Sequence, residues 1–334
     1  MIPKKIHYCW FGRGEKSKLA KRCIESWKKY CPNYEIIEWN EDNFDINQNE
    51  YTKMAYTEKK YAFLSDYVRL VTVYQNGGIY NCAPTLSEAI DSIVNQTYDN
   101  WELIMCDDGS TDDTYKIAES YRQKYLDKIK LIRNRHNSGL NITLNHCLKY
   151  AKGEYIARMD GDDISLPQRF EKEFNFLEAH PEYDIVSTPM IYFDENGDFR
   201  TGKLNGEPAL ADFAKGTPFC HAPCLVRKKA YDAVNGYTVS DNRLRVEDWD
   251  LWVKMYENGF RGFNLDEPLY KMRDDRNAYA RRKFKFRINE ARVSLYATKH
   301  LNLGFKSNLW CLKPIIVGLL PKPVYNILHK RKSG

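Results

Sequence analysis

Between residues 85 and 163 helix-like and strand-like stretches alternate, and two of the strands run directly into clusters of acids. Leu86, Ala89, Ile90, Ile93 and Val94 recur at helical spacing over 85–96, which predicts an amphipathic helix. Trp101-Glu102-Leu103-Ile104-Met105-Cys106 reads as a strand and leads into Asp107-Asp108-Gly109-Ser110. A helix over 111–125, a strand over 129–133 and a helix over 140–151 follow. A strand over 155–159 then runs into Asp160-Gly161-Asp162-Asp163. This order predicts an α/β fold with a mostly parallel, Rossmann-like sheet and helices on both faces. Ligands of such sheets bind at the carboxyl ends of strands, where both acidic clusters lie.

Carboxylates one residue apart at a strand end can converge on a divalent ion. Oxygen ligands suit Mg²⁺ or Mn²⁺, which keep several waters and bind substrate phosphates. The small Gly161 lets a phosphate approach. Taken alone, an acidic turn is more often solvated and idle. A carboxylate in Asp107-Asp108-Gly109-Ser110-Thr111-Asp112 can accept hydrogen bonds from a base or from ribose hydroxyls, while Ser110, Thr111 and Asp112 also suit helix capping. Glu247-Asp248-Trp249-Asp250 precedes an amphipathic helix carrying Leu251, Trp252, Met255 and Tyr256. An acid there can serve as a general base or simply favour the helix dipole.

A chain of 334 residues, 43% hydrophobic and 29% charged, is neither wholly disordered, collagen-like nor a multi-span membrane protein, and has room for two or three domains. The net charge of +6 is uneven: residues 271–334 hold 16 Lys and Arg against 3 Asp and Glu, +13, which leaves −7 for residues 1–270. A basic final quarter suits an anionic partner, a membrane face or nucleic acid. It lacks the regular aromatic platforms that stack bases, so no nucleic-acid partner is expected. The nine cysteines form no paired framework, and the apolar run after Met1 is too short for a secretory signal. Both point to a cytoplasmic chain with reduced thiols. Cys220-His221-x-x-Cys224 resembles half of a zinc site, with no second half at ligand spacing. Residues 310–328 are apolar, but Pro314, Pro321, Pro323, Lys313 and Lys322 make them a poor transmembrane span. Flanked by Lys330-Arg331-Lys332, they suit the inner membrane surface or a packed extension.

Residues 1–80 form a separate α/β start. Strands are expected over 6–11 and 34–39, with a helix over 16–30 presenting Leu19, Cys23, Ile24 and Trp27 on one face. A second helix over 62–74 stops at Gly77-Gly78.

Four stretches together resemble glycosyltransferase family 2, the inverting nucleotide-sugar transferases of the GT-A fold, over residues 80–314. They are Tyr80-Asn81 with Leu86-x-x-Ala89-Ile90-x-Ser92-Ile93-x-Asn95-Gln96-Thr97-Tyr98, then Asp107 to Asp112, Gly153 to Asp163, and Glu247-Asp248-Trp249-Asp250-Leu251-Trp252. The resemblance implies a bacterial transferase of hexosyl type. It would move a sugar from a nucleotide-diphosphate sugar, a UDP-sugar, to a hydroxyl of a cell-surface glycan or lipid-linked acceptor of capsule or lipopolysaccharide type. It implies Asp248 as general base, and Asp160 and Asp162 as ligands of Mg²⁺ or Mn²⁺. Tyr80, Asn81, Asp108, Asp160, Asp163, His221 and Glu247 would hold the nucleotide sugar.

Ile2-Pro3-Lys4-Lys5-Ile6-His7-Tyr8-Cys9-Trp10-Phe11-Gly12, Leu64 to Leu70, and Gly77-Gly78-Ile79-Tyr80 instead resemble the start of a family 32 glycosyltransferase. That family's Asp-x-Asp normally follows Gly-Gly-Ile-Tyr; here Asn81-Cys82-Ala83-Pro84 follows. Asp66 and Arg69, donor ligands in an intact family 32 enzyme, are accordingly expected to be structural. The chain therefore reads as a fusion: a truncated family 32 segment at 1–80, a GT-A domain at 81–276, and a helical, basic and apolar extension at 277–334. Little more than Gly78-Ile79-Tyr80-Asn81 remains of the family 2 first strand. Residues 6–11 are expected to fill that slot beside 101–106, where backbone groups would otherwise lack partners. A fusion that keeps the fold as a binding or scaffold module is the alternative.

Overall fold

The computed structural model describes residues 5–11, 13–43, 46, 50–57, 80–274 and 283–320. The helix expected over 62–74, its Gly77-Gly78 stop, Asp66, Arg69 and the tail beyond 320 lie outside these residues. The chain divides into two units, residues 1–84 with 110–113, and residues 85–109 with 114–334.

In the first unit, strand β1 (Lys5–Cys9), helix α1 (Lys18–Tyr30) and strand β2 (Glu35–Trp39) form a βαβ element, followed by helix α2 (Glu50–Thr57). β1 and β2 are parallel, from Lys5 opposite Glu35 to Cys9 opposite Trp39. Ser17 caps α1 by accepting the Ala20 amide at 3.1 Å, and Lys28 and Lys29 complement the dipole in its last turn. The Tyr8 and Trp27 rings lie 5.7 Å apart, and Lys16 pairs with Glu38 at 2.8 Å.

The second unit opens on α3 (Ala83–Val94), most of whose residues belong to it. Its buried face is Leu86, Ala89, Ile90 and Ile93, as the helical spacing requires. β3 (Leu103–Asp107), α4 (Thr114–Lys124), β4 (Ile129–Arg133), α5 (Leu140–Leu148) and β5 (Tyr155–Ala157) follow. Next come β6 (Ile164–Ser165), α6 (Arg169–Ala179), β7 (Ile185–Ser187), β8 (Met190–Asp194) and β9 (Gly197–Thr201). β10 (Leu225–Arg227), α7 (Lys228–Ala233), α8 (Glu247–Glu257), β11 (Gly262–Asn264) and β12 (Tyr270–Arg273) precede α9 (Phe284–His300) and α10 (Leu312–Leu319).

The α/β class agrees with the sequence reading, but the pairing is less parallel than expected. β3 and β4 are parallel. In the order β11-β7-β10-β5, β10 runs antiparallel to both of its neighbours. In the order β6-β12-β8-β9, β12 is parallel to β8 while β6 and β9 are antiparallel to their partners. Beyond Asp163 some strands follow one another through short links, and only antiparallel strands can be joined by a two-residue turn; β8 and β9 are joined in this way. The expected pairing of 6–11 with 101–106 is also not found. Among the described residues, β1 pairs with β2 and β3 with β4. The α1 crossover brings β2 back onto β1 and satisfies that ladder locally.

The core of the second unit surrounds α8, where Leu251, Trp252, Val253 and Met255 are fully buried among Phe213, Phe219, Val293 and Ala297. Trp249 Nε1 donates to the Phe213 carbonyl at 2.7 Å, so the indole is anchored as well as buried. α6 buries an ion pair beside Leu177: Arg169 Nε and Glu173 Oε2 lie 3.1 Å apart and neither side chain reaches solvent. Arg169 also donates to the carbonyls of Arg158 and Cys224, both at 3.1 Å, and of Ala222 at 3.3 Å. Removing one partner of such a pair strands a buried charge. Arg169→Leu is expected to lower unfolding free energy by roughly 3–5 kcal/mol, with partial recovery in the Arg169→Leu/Glu173→Leu double variant. Urea denaturation checks this; a single variant as stable as the parent would refute the role.

Candidate active site

β5 ends at Ala157 and runs directly into Arg158-Met159-Asp160-Gly161-Asp162-Asp163. Arg158 is buried. Its guanidinium clasps Asp160 through Nη1 to Oδ2 at 2.8 Å and Nη2 to Oδ1 at 2.6 Å, a two-point pairing that fixes the carboxylate plane. Asp163 is held from the far side of the unit. Its Oδ2 accepts the Tyr270 hydroxyl at 2.9 Å, and its Oδ1 accepts the Arg273 amide at 2.8 Å. The Tyr270 oxygen in turn accepts the Asp160 amide at 3.2 Å. The Arg273 side chain donates to the Asp162 carbonyl at 3.0 Å and to Glu88 Oε2 at 2.6 Å, while Thr85 Oγ1 donates to the Gly161 carbonyl at 3.2 Å. The acidic turn is thus a braced loop.

Its electrostatics are dominated by crowded negative charge. Burial, reinforced by Asp160, pushes the Asp162 carboxyl up to about 6. Burial and both neighbouring carboxylates also raise Asp163.

Asp248 lies in the first turn of α8 with Glu247 and Asp250. These acids begin the helix rather than precede it. Burial raises the Asp248 carboxyl above the ordinary aspartate range, while the nearby Trp249 amide and Thr217 hydroxyl favour its charged form. Burial and Asp248 raise Glu247 as well. Asp250 has a structural place: it is 2% exposed, accepts the Thr238 hydroxyl at 2.6 Å and pairs with Arg243. The Arg158 charge bears on Asp162, Glu247 and Asp248 alike, so the acidic turn and the start of α8 share one cation.

His221 is within the same field. Burial and Arg158 hold its imidazole well below the usual histidine range, which keeps the ring neutral. Its Nε2 lies 2.8 Å from the Tyr237 hydroxyl. Cys220 is raised to about 12 by burial and Asp248, and the Cys224 thiol donates to the Cys220 carbonyl at 2.8 Å. Among the described residues no three His, Cys, Asp or Glu side chains converge as a metal cluster.

Asp108 is buried and turned to the loop 134–139. It accepts the Asn134 side-chain amide at 2.7 Å and the Ser138 and Gly139 backbone amides, both at 2.9 Å. Gly109 is required beside it: its φ is +80°, and a Cβ would meet Asn137 N at 3.0 Å. Tyr80 and Asn81 belong to the first unit. There the Tyr80 carbonyl accepts the Ser110 hydroxyl, and Asn81 Oδ1 accepts the Thr111 amide at 3.1 Å.

Arg158, Thr217, Tyr270 and Arg273 were not singled out from sequence. Arg158 had a usable signal, a cation two residues before an aspartate at a strand end. Tyr270 and Arg273 are about a hundred residues from the acids they hold, and nothing local marks them.

The comparisons with known proteins agree with this geometry. The model of "Glycosyl transferase family 2" matches residues 79–234. That of "Glycosyltransferase sugar-binding region containing DXD motif" matches residues 17–82, although no Asp-x-Asp occurs in that stretch. EpsE of Bacillus subtilis (strain 168) is 47% identical over 255 residues, 76% of this chain and 92% of EpsE. WfaP of Escherichia coli, a UDP-Glc:alpha-D-GlcNAc-diphosphoundecaprenol beta-1,3-glucosyltransferase, is 27% identical over 256 residues, 76% of this chain and 96% of WfaP. The crystal structure of S. aureus TarS 1-349 with UDP-GlcNAc superposes with a TM-score of 0.53 at 19% identity, over 72% of this chain and 69% of TarS 1-349; this likeness shows a shared GT-A fold. With EpsE 47% identical over 92% of its length and the family 2 model matched over residues 79–234, the chain belongs to glycosyltransferase family 2.

Proposed function

We propose that this glycosyltransferase moves a sugar, with inversion, from a UDP-sugar to a hydroxyl of a glycan or lipid-linked acceptor at the inner membrane surface. The donor class is supported by the UDP-GlcNAc of the TarS structure, and the acceptor class by the lipid diphosphate in WfaP's name. The observation that carries the reading is Asp248, a partly buried carboxylate raised in pKa and sharing one cation with the braced acidic turn.

In this mechanism Asp248 accepts the proton of the acceptor hydroxyl. The freed oxygen pair attacks the anomeric carbon from the face opposite the diphosphate, and the bond from that carbon to the diphosphate oxygen breaks, carrying its electron pair to the leaving group. A base is most effective with a pKa near the working pH, and burial moves Asp248 that way. Arg158 offsets charge around the reaction, and its buried Nε–H has no hydrogen-bond partner among the described residues, which suits an anionic ligand. His221 and Glu247 line the same region, Asp163 holds the turn, and Asp108 shapes the loop 134–139 for the nucleotide.

The residues fit Mg²⁺ or Mn²⁺ arriving with the diphosphate. Burial, with the Asp160 charge beside it, pushes Asp162 towards protonation, and a cation would relieve the repulsion between the two carboxylates. Magnesium commonly takes one or two carboxylates and completes its shell with phosphate and water, so Asp162 with Asp160 suffices. When bound, the ion would neutralise charge on the departing diphosphate.

Screening UDP-sugars by mass spectrometry with Mn²⁺ or Mg²⁺ tests the activity. Asp248→Asn is expected to lower turnover about 10²–10⁴-fold while calorimetry still detects UDP binding. Asp162→Asn is expected to abolish the metal-dependent part of that binding heat. Binding of neither metal nor UDP to the parent chain would favour the scaffold reading.

The pH profile gives a further test. The Thr217 hydroxyl favours charged Asp248, so Thr217→Val raises this carboxyl further. Because the base acts deprotonated, the acidic limb of kcat/KM should move to higher pH. A merely structural Thr217 would leave the limb in place.

A further inference from the structure

The sequence holds no acidic residue after Glu290, while residues 291–334 carry eight Lys and Arg. Glu290 itself pairs with Arg287 at 2.9 Å. In this acid-free stretch a 3₁₀ helix (Phe305–Cys311) leads into α10. α10 sits on α9 by one face: Pro314 is buried, and a Cβ on Gly318 would come within 2.9 Å of both Phe284 Cδ2 and Arg287 Cγ. That seating turns Leu312, Ile316 and Leu319, at i, i+4 and i+7, the other way. Ile316 is 58% and Leu319 70% exposed, and the preceding turn adds Phe305 at 85%, Leu309 at 65% and the exposed ring of Trp310. Lys306 and Lys313 are exposed among them, with Lys313 Nζ 5.7 Å from the Trp310 ring.

We propose that this face of residues 305–319 lies on an anionic lipid bilayer, its apolar side chains entering the acyl boundary and Lys306 and Lys313 meeting the headgroups. A helix of large amphipathicity with flanking cations binds in the interface plane, and lysine stems reach from apolar surface to charged headgroups. No helix among the described residues is long and apolar enough to cross a membrane, so this is attachment rather than spanning. Charge selects lipid over a second copy. A two-fold dimer would set the same patch against itself, bringing Lys306 and Lys313 onto their counterparts with no acid between them. The charged residues of the stretch 321–334 are likewise all basic. The proposal deepens the reading of a lipid-linked acceptor and rests on it for its purpose, but its test needs no substrate.

The full chain is floated with vesicles of phosphatidylcholine containing about one quarter phosphatidylglycerol, and with pure phosphatidylcholine. It is expected to float with the anionic vesicles and to be released by salt. Leu309→Glu/Ile316→Glu should weaken flotation at least about tenfold, and Lys306→Glu/Lys313→Glu about tenfold. Melting temperatures should be unchanged, because these side chains are exposed. A parent chain that does not float, or variants that float as well as the parent, would overturn the proposal. So would a parent that sediments as a dimer and becomes monomeric in the Leu309→Glu/Ile316→Glu variant. Flotation as expected without UDP-sugar turnover would leave the lipid face standing and remove the enzymatic reading; turnover without flotation would do the reverse.

Discussion

A buried guanidinium holds the candidate site together. Arg158 has almost no access to water, and an isolated cation in that position would be prohibitively unfavourable. The carboxylates around it are therefore conditions of its burial as much as candidate ligands. Asp160 supplies the two-point contact, and Asp162, Glu247 and Asp248 supply the wider field. In the other direction, the cation permits so many acids to gather. Without it, the repulsion that already raises Asp162 and Asp163 would raise them further, and the turn would either protonate or open. Arg169 extends the arrangement inward by gathering the carbonyls of 158, 222 and 224 on one Nη2. That ties the strand feeding the acidic turn to the segment carrying His221. The two buried arginines thus set where the acids stand before any ligand binds.

Much of this was legible in the sequence, and what was not has a common cause. Local periodicity identified the strand at 129–133, the buried face of α3 and the body of α8 from Leu251 to Tyr256, because burial on one face imposes a spacing on neighbouring residues; the start of α8 lies earlier, at Glu247. The strand-end position of the Asp160 turn was equally local. Pairing order was not: the mixed sheets arise from β10 inserting between β5 and β7 and from β12 joining β6 to β8, contacts between segments far apart in the chain. The anchoring of Asp163 by Tyr270 and Arg273 escaped for the same reason. Asp108 adds a partner that composition does not announce: a carboxylate after a strand was read as a ligand for base or ribose, and it also accepts three donors of the loop 134–139.

The two family matches overlap on residues 79–82, so the junction falls on the Gly-Gly-Ile-Tyr boundary. No Asp-x-Asp occurs within residues 17–82, whereas Asp160-Gly161-Asp162 lies inside the stretch that the family 2 model matches. In the first unit, β1 makes its ladder with β2, which satisfies one edge of each strand.

The charge distribution divides the labour of the chain in a way that one net value conceals. The first 270 residues are acidic by seven charges and the remainder basic by thirteen. A donor diphosphate is itself an anion, so an acidic site is a poor trap for it unless countercharge is supplied at short range. Arg158 supplies part of that countercharge, and a divalent ion on Asp162 would supply the rest. On the proposed function, long-range attraction to an anionic surface would fall to residues 291–334, which hold no Asp or Glu. Cations spread evenly along the chain would weaken both proposed roles, the hold of the acidic turn on a metal-bound diphosphate and the meeting of the face at 305–319 with headgroups. Keeping the two charge populations apart would let one chain hold an anionic donor through local cations and meet an anionic surface elsewhere.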